Sequence, residues 1–98
     1  MNRIEPIHPG EILLEEFLQP MGISQYKLAK DIHVSQMRIS EIINRKRGVS
    51  IDTALRLSRY FGMSVGFWTG IQLEYDTQIA KDRLEEKINR EVQPLTAA

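Results

Sequence analysis

Apolar residues recur at helical spacing through most of the chain. Ile12, Leu13 and Phe17, with Leu14 and Leu18 beside them, share one face of a first segment. Leu28, Ala29 and Ile32 share a face of a second, and Ile39, Ile42 and Ile43 of a third. Ala54, Leu57 and Phe61 do so in a fourth. From Val65 onward a stripe runs through Phe67, Ile71, Tyr75 and Ile79 at i+4 steps, then shifts to Ala80, Leu84 and Ile88. The pattern predicts five helices and an all-α fold, with a last helix over about 65–91.

The boundaries carry their own signals. Pro9 suits the first helical position, where a missing N–H goes unnoticed, and Glu11 lies where the helix dipole favours an anion. Pro20 and Gly22 are expected to end this helix. Four later helices share one start signal, an apolar residue followed by Ser: Ile23-Ser24, Val34-Ser35, Val49-Ser50 and Met63-Ser64. The Ser oxygen accepts from an otherwise unpaired backbone N–H, and the preceding apolar residue can staple to the fourth helical position. Those fourth positions are Leu28, Ile39, Ala54 and Trp68, all apolar. Gly62 stops the fourth helix, and Gly70 weakens the middle of the last one, leaving open whether that helix breaks or kinks there. Met1–Ile7 is expected to be extended, and the tail 93–98, with Pro94, frayed. The chain reads as one domain, residues 1–98.

The stretch 24–44 organises the rest. Two short helices joined at His33-Val34 make a helix-turn-helix, with the small Ala29 where they cross. His33 falls at the turn, where a left-handed backbone is often needed, and His tolerates one better than most residues. The second helix offers Gln36, Met37, Arg38, Ser40 and Glu41 near its N-terminus, the end that a recognition helix inserts into the major groove. Gln36 and Arg38 are the best base readers, Gln for adenine and Arg for guanine, with Met37 and Ser40 beside them. Ser24, Gln25 and the N–H groups at that helix start suit phosphate, Ser35 is counted with the DNA-binding residues, and Lys27, Arg45, Lys46 and Arg47 add sequence-independent attraction. For Arg38 the plain alternative is a surface ion pair with Glu41. Arg56 and Arg59 either reach the DNA backbone or face water.

Net charge is +0, yet the charge is not evenly spread. The first 23 residues hold one cation, Arg3, against Glu5, Glu11, Glu15 and Glu16. Between Ser24 and Arg59, Lys27, Lys30, Arg38, Arg45, Lys46, Arg47, Arg56 and Arg59 face only Asp31, Glu41 and Asp52. Phosphate binding depends on such local excess. There is no Cys, no glycine-rich phosphate loop, no apolar run of membrane-spanning length, and the two His lie far apart. His8 reads as a helix-start residue. No catalytic constellation, metal or cofactor is expected, and the chain is expected to be a cytoplasmic, non-enzymatic protein. A terminal helix this apolar exposes more surface than 98 residues can cover, so Phe67, Trp68, Ile71, Tyr75 and Ile79 are expected at a dimer or partner contact.

The residues also resemble the HigA (VapI-like) addiction-module antidotes of the lambda-repressor-like helix-turn-helix group. The resemblance covers His8-Pro9-Gly10-Glu11-Ile12-Leu13, Glu15-Glu16-Phe17-Leu18 and Arg38-Ile39-Ser40-Glu41-Ile42. It continues through Asp52-Thr53-Ala54-Leu55-Arg56-Leu57, Phe61-Gly62, Phe67-Trp68, Gln72 and Tyr75-Asp76. It implies a five-helix lambda-repressor-like domain that binds and neutralises a HigB toxin, a RelE-like ribonuclease acting on translated messenger RNA. It further implies autorepression of the shared operon through double-stranded operator DNA, usually as a homodimer. By analogy with two-fold dimers of this class, the operator is expected to be palindromic. His33 and Arg45 stand where that family commonly has Gly. The acidic first lobe reads first as a solvated helix face and second as a surface for a basic toxin. Two other readings stand beside the antitoxin: a stand-alone transcriptional regulator without a toxin, and a helical interaction module that has lost DNA binding.

Overall fold

The computed structural model describes residues 5–96. Part of the extended reading of 1–7 and the last two residues of the tail lie outside them. Among the described residues the chain forms five helical rods and no strand. The first rod begins as α1 (Pro9–Ile12), widens to a π-helical stretch (Leu13–Leu18) and returns to α-helix as α2 (Gln19–Met21). The widening precedes Pro20, which has no N–H to give and whose ring crowds the carbonyl four residues back. Pro20 therefore sits inside the last turn, and Gly22 alone is the stop, with φ 64°. The other rods are α3 (Gln25–Ile32), α4 (Gln36–Ile43), α5 (Ile51–Phe61) and α6 (Val65–Glu91).

All four serines cap as their position predicts. Ser24, Ser35, Ser50 and Ser64 Oγ accept from the N–H groups of Lys27, Arg38, Thr53 and Gly66 at 3.0–3.2 Å. The fourth helical residues Leu28, Ile39, Ala54 and Trp68 are all core. The helix ends share a second device. Gly22, His33, Arg45 and Gly62 are left-handed, and the next residue's N–H turns back to the carbonyl five before it. After Gly22, His33 and Gly62 that next residue is Ile23, Val34 or Met63, each packed on the core. A left-handed residue, an apolar residue and a Ser thus form one repeated joint, stopping one helix and starting the next.

The core lies between α1–α2 and α3–α6: Leu13, Leu18, Leu28, Ile39, Ile42, Leu57 and Trp68 are fully or almost fully buried. Phe17 joins the first rod to α5 and α6 through ring contacts with Phe61 and Trp68, centroids 4.8 and 5.1 Å apart. Trp68 is 0% exposed. It therefore cannot serve the dimer or partner contact expected of it, because it stands one residue off the Phe67–Ile71–Tyr75–Ile79 stripe and turns inward onto Phe17. Helix α6 runs unbroken through Gly70. Its first half lies on the domain, while every described residue from Ala80 onward is exposed. No helix among the described residues is long and apolar enough to cross a membrane.

Candidate nucleic-acid interface

Helices α3 and α4 meet through the His33 joint. Leu28, Ala29, Ile32, Ile39 and Ile42 bury the inner faces of the pair. That leaves Gln36 and Met37 exposed at the start of α4, Met37 by 67%. Ser40 lies one turn on, its Oγ accepting from Asn44 Nδ2 at 3.3 Å. The start of α3 is exposed nearby in sequence, with Ser24, Gln25 and Lys27 in water. The structure thus brings the expected base-reading residues to one helix end.

The cations around them are more engaged than the charge pattern suggests. Arg38 is half-buried, and its Nη1 donates to Asp52 Oδ2 at 2.9 Å. The alternative pair with Glu41 does not form, and Glu41 is taken by Arg47 at 2.8 Å. Arg38 is drawn instead to the acidic first turn of α5. Lys27 Nζ pairs with Asp31 Oδ2 at 2.9 Å, and Asp31 also accepts from Tyr60 Oη. The Tyr60 hydroxyl and then Lys27 hold the Asp31 carboxyl below its usual range. Arg45, left-handed at φ 63°, pairs with Glu11. Lys46 is exposed and pairs with no carboxylate among the described residues. The more exposed pairs of Lys27, Arg45 and Arg47 contribute little to stability, so phosphate can replace their carboxylates at small cost.

Arg56, expected on the DNA backbone or in water, keeps 40% of its side chain exposed and is also engaged within the chain. Its Nε donates to Asp52 Oδ2 at 2.9 Å, and its Nη1 reaches the carbonyls of Ile32 at 2.9 Å and His33 at 3.5 Å. It is a cation on the C-terminal end of α3, where free carbonyls and the helix dipole favour one. Arg56 and then Arg38 hold the Asp52 carboxyl below its usual range.

A helix-turn-helix family model matches residues 14–68. Virulence-associated protein I of Dichelobacter nodosus is 52% identical over 80 residues, covering 82% of this chain and 74% of that one. Antitoxin HigA-1 of Vibrio cholerae is 35% identical over 83 residues, covering 84% and 77%. The solved structure of Pseudomonas aeruginosa antitoxin HigA with the higBA promoter superposes with a TM-score of 0.91 at 43% identity, covering 93% of this chain and 99% of that one. The chain belongs to the HigA (VapI-like) family of helix-turn-helix proteins.

Within this HigA-family chain, two further residues position the interface, and spacing alone assigned neither a structural task. Gly10 lies against the backbone of α4: a Cβ built on it would come within 1.9 Å of the Ile42 carbonyl oxygen. Only a residue without a side chain lets α1 approach that closely. Gln72, on α6, accepts from the Val49 N–H at 2.6 Å and donates to Asp76 at 2.9 Å. It ties the loop after Arg47 to the long helix.

His8 caps α1 as the sequence implied, its Nδ1 accepting from the Gly10 N–H at 2.9 Å. It is buried, edge-on to Tyr75 with centroids 4.8 Å apart. Burial, and then the Arg45 cation, push its pKa below the ordinary value. The four remaining residues expected at a partner contact follow α6. Phe67 is 41% exposed, and Ile71, Tyr75 and Ile79 are half-buried. Phe67, Ile71 and Tyr75, with Ile7 and Ile12, line an open apolar groove of about 650 Å³.

Proposed function

We propose that this chain is the antitoxin of a two-gene module. It binds operator DNA through the start of α4, represses its own operon as a homodimer, and neutralises a HigB/RelE-like messenger-RNA-cleaving toxin in the cytoplasm. The observation that carries the reading is the outward start of α4, with Gln36, Met37 and part of Arg38 clear of the core and Lys46 in water at its far end. Gln36 and Arg38 supply base-edge donors and acceptors. Ser24, Gln25 and Ser35 offer polar groups at helix starts for phosphate, and Lys27, Arg45, Lys46 and Arg47 supply screened attraction. Met37 and Ser40 extend the surface toward a thymine methyl or a nearby base edge.

The homodimer is assigned to the α6 stripe of Phe67, Ile71, Tyr75 and Ile79, continued by the exposed Leu84 and Ile88. A relative with DNA in its solved structure supports the operator reading, and a relative named HigA-1 supports the antitoxin reading. The toxin is matched to the acidic first lobe, where Glu15 and Glu16 are exposed and Glu11 is engaged with Arg45.

Three experiments test this. A mobility shift on the DNA upstream of the gene is expected to give salt-dependent binding, and no shift at low salt sinks the operator reading. Co-purification with the product of the adjacent gene is expected to give a stable complex. Its failure leaves a stand-alone regulator as the better reading. Lysine at Glu15 and Glu16 should weaken that complex at physiological salt, and unchanged affinity removes the acidic lobe from the contact.

A further inference from the structure

Three helices of the interface are joined through one carboxylate oxygen and the arginine it holds. Asp52 Oδ2, in the first turn of α5, accepts from both Arg38 Nη1 and Arg56 Nε, each at 2.9 Å. Arg38 Nη1 also reaches the hydroxyl of the buried Thr53 at 3.4 Å. Arg56 continues through Nη1 to the Ile32 carbonyl at the end of α3. One oxygen therefore links the third residue of the outward helix to the helix before it. An unrestrained arginine samples many rotamers, and ordering it on a base opposes binding. Arg38 is restrained before any ligand arrives. Asp52 and Thr53 engage Nη1 alone, and the side chain keeps 32% of its surface open.

We infer that Asp52 is a specificity-determining positioning residue: by fixing Nη1 of Arg38 it presents the Nε–Nη2 edge in one pose to the N7 and O6 acceptors of a guanine. This rests on the DNA-binding reading. A guanidinium edge is the part of arginine that matches guanine in two bonds, and its orientation decides whether both form.

The test is a set of affinities on the upstream operator and on duplexes carrying single base-pair changes across it, for wild type, Asp52→Asn, Arg38→Ala, the double variant and Arg56→Gln. Arg38→Ala should abolish discrimination at one guanine, where the wild-type protein prefers it by about tenfold or more. Asp52→Asn should lose discrimination at that same guanine, and the double variant should discriminate no worse than Arg38→Ala. Arg56→Gln breaks the brace to α3 but keeps the Arg38–Asp52 pair, so it should retain the preference. Asp52→Ser, measured alongside, covers the case in which Asp52→Asn does not fold. If either folded Asp52 variant weakens all duplexes equally and keeps the guanine preference, Asp52 is only a brace and the inference is overturned. If the wild-type protein ignores the operator altogether, the DNA-binding reading falls first and the inference with it.

Discussion

Gly10 and Ile42 touch backbone to backbone: a methyl group on Gly10 would sit 1.9 Å from the Ile42 carbonyl oxygen. The outward helix is therefore seated against α1 without an intervening side chain. Rotamer changes cannot relieve that contact. Gly10→Ala should cost about 3 kcal/mol or more, the upper end of overpacking penalties. Urea unfolding checks it, and a variant within 1 kcal/mol of wild type would mean that α1 moves freely.

His8 ties stability to pH. Its Nδ1 accepts from the Gly10 N–H and so must be unprotonated, and burial lowers its folded pKa. The unfolded chain then takes up the proton more readily, at about pH 6.5. The His8 contribution is fully present above that pH and is lost as pH falls through the lowered folded value. His8→Asn, which can still cap, should flatten this part of the curve. Melting curves of both proteins between pH 7.5 and 5 should diverge only on the acid side.

The two halves of α6 should respond differently. Trp68 is wholly buried, and Trp68→Ala should lose about 3–5 kcal/mol. Leu84 is 46% exposed on the projecting half. Leu84→Glu should leave monomer stability within about 0.5 kcal/mol while reducing the solution mass from dimer to monomer. Analytical ultracentrifugation reads the mass, and an unchanged dimer would clear this face of the assignment.

Arg45 is left-handed, which strains a side-chain-bearing residue by about 1 kcal/mol. Arg45→Gly relieves that, loosens the unfolded chain by a similar amount, and removes a surface pair with Glu11. Stability should stay within about 1 kcal/mol, and affinity for any duplex should fall. A drop in binding confined to one sequence would make Arg45 a base reader.

Lys46 has no carboxylate partner among the described residues and stands in water. Lys46→Ala should weaken operator and unrelated DNA alike and lower the salt slope by about one. Anisotropy titrations at several salt concentrations measure both. An unchanged slope would place Lys46 away from phosphate.

What sequence reasoning saw and missed divides along a physical line. The four capping serines, the left-handed His33 and the buried faces of α3 and α4 are local matters, decided by residues within one or two turns. The Arg38–Asp52 bond spans 14 residues and the Gln72 link to Val49 spans 23. No periodicity encodes either, since both depend on how the rods cross. Trp68 shows the same limit from the other side. Its apolar place at the fourth position of the last helix was legible, but only the fold turns it toward Phe17. At Gly70 the sequence left a break open: the buried Trp68 before it and the good helix formers Gln72, Leu73 and Glu74 after it outweigh its weak helix propensity, and α6 stays whole.

The projecting end of α6 sets how the molecule drifts and tumbles. At 57 Å by 28 Å by 21 Å, its radius of gyration is 17.0 Å, against about 13 Å for a sphere-like chain of this length. A single copy will drag like a heavier particle and leave a sizing column early. Elution volume alone would then count two molecules where there is one, whereas light scattering would weigh it correctly.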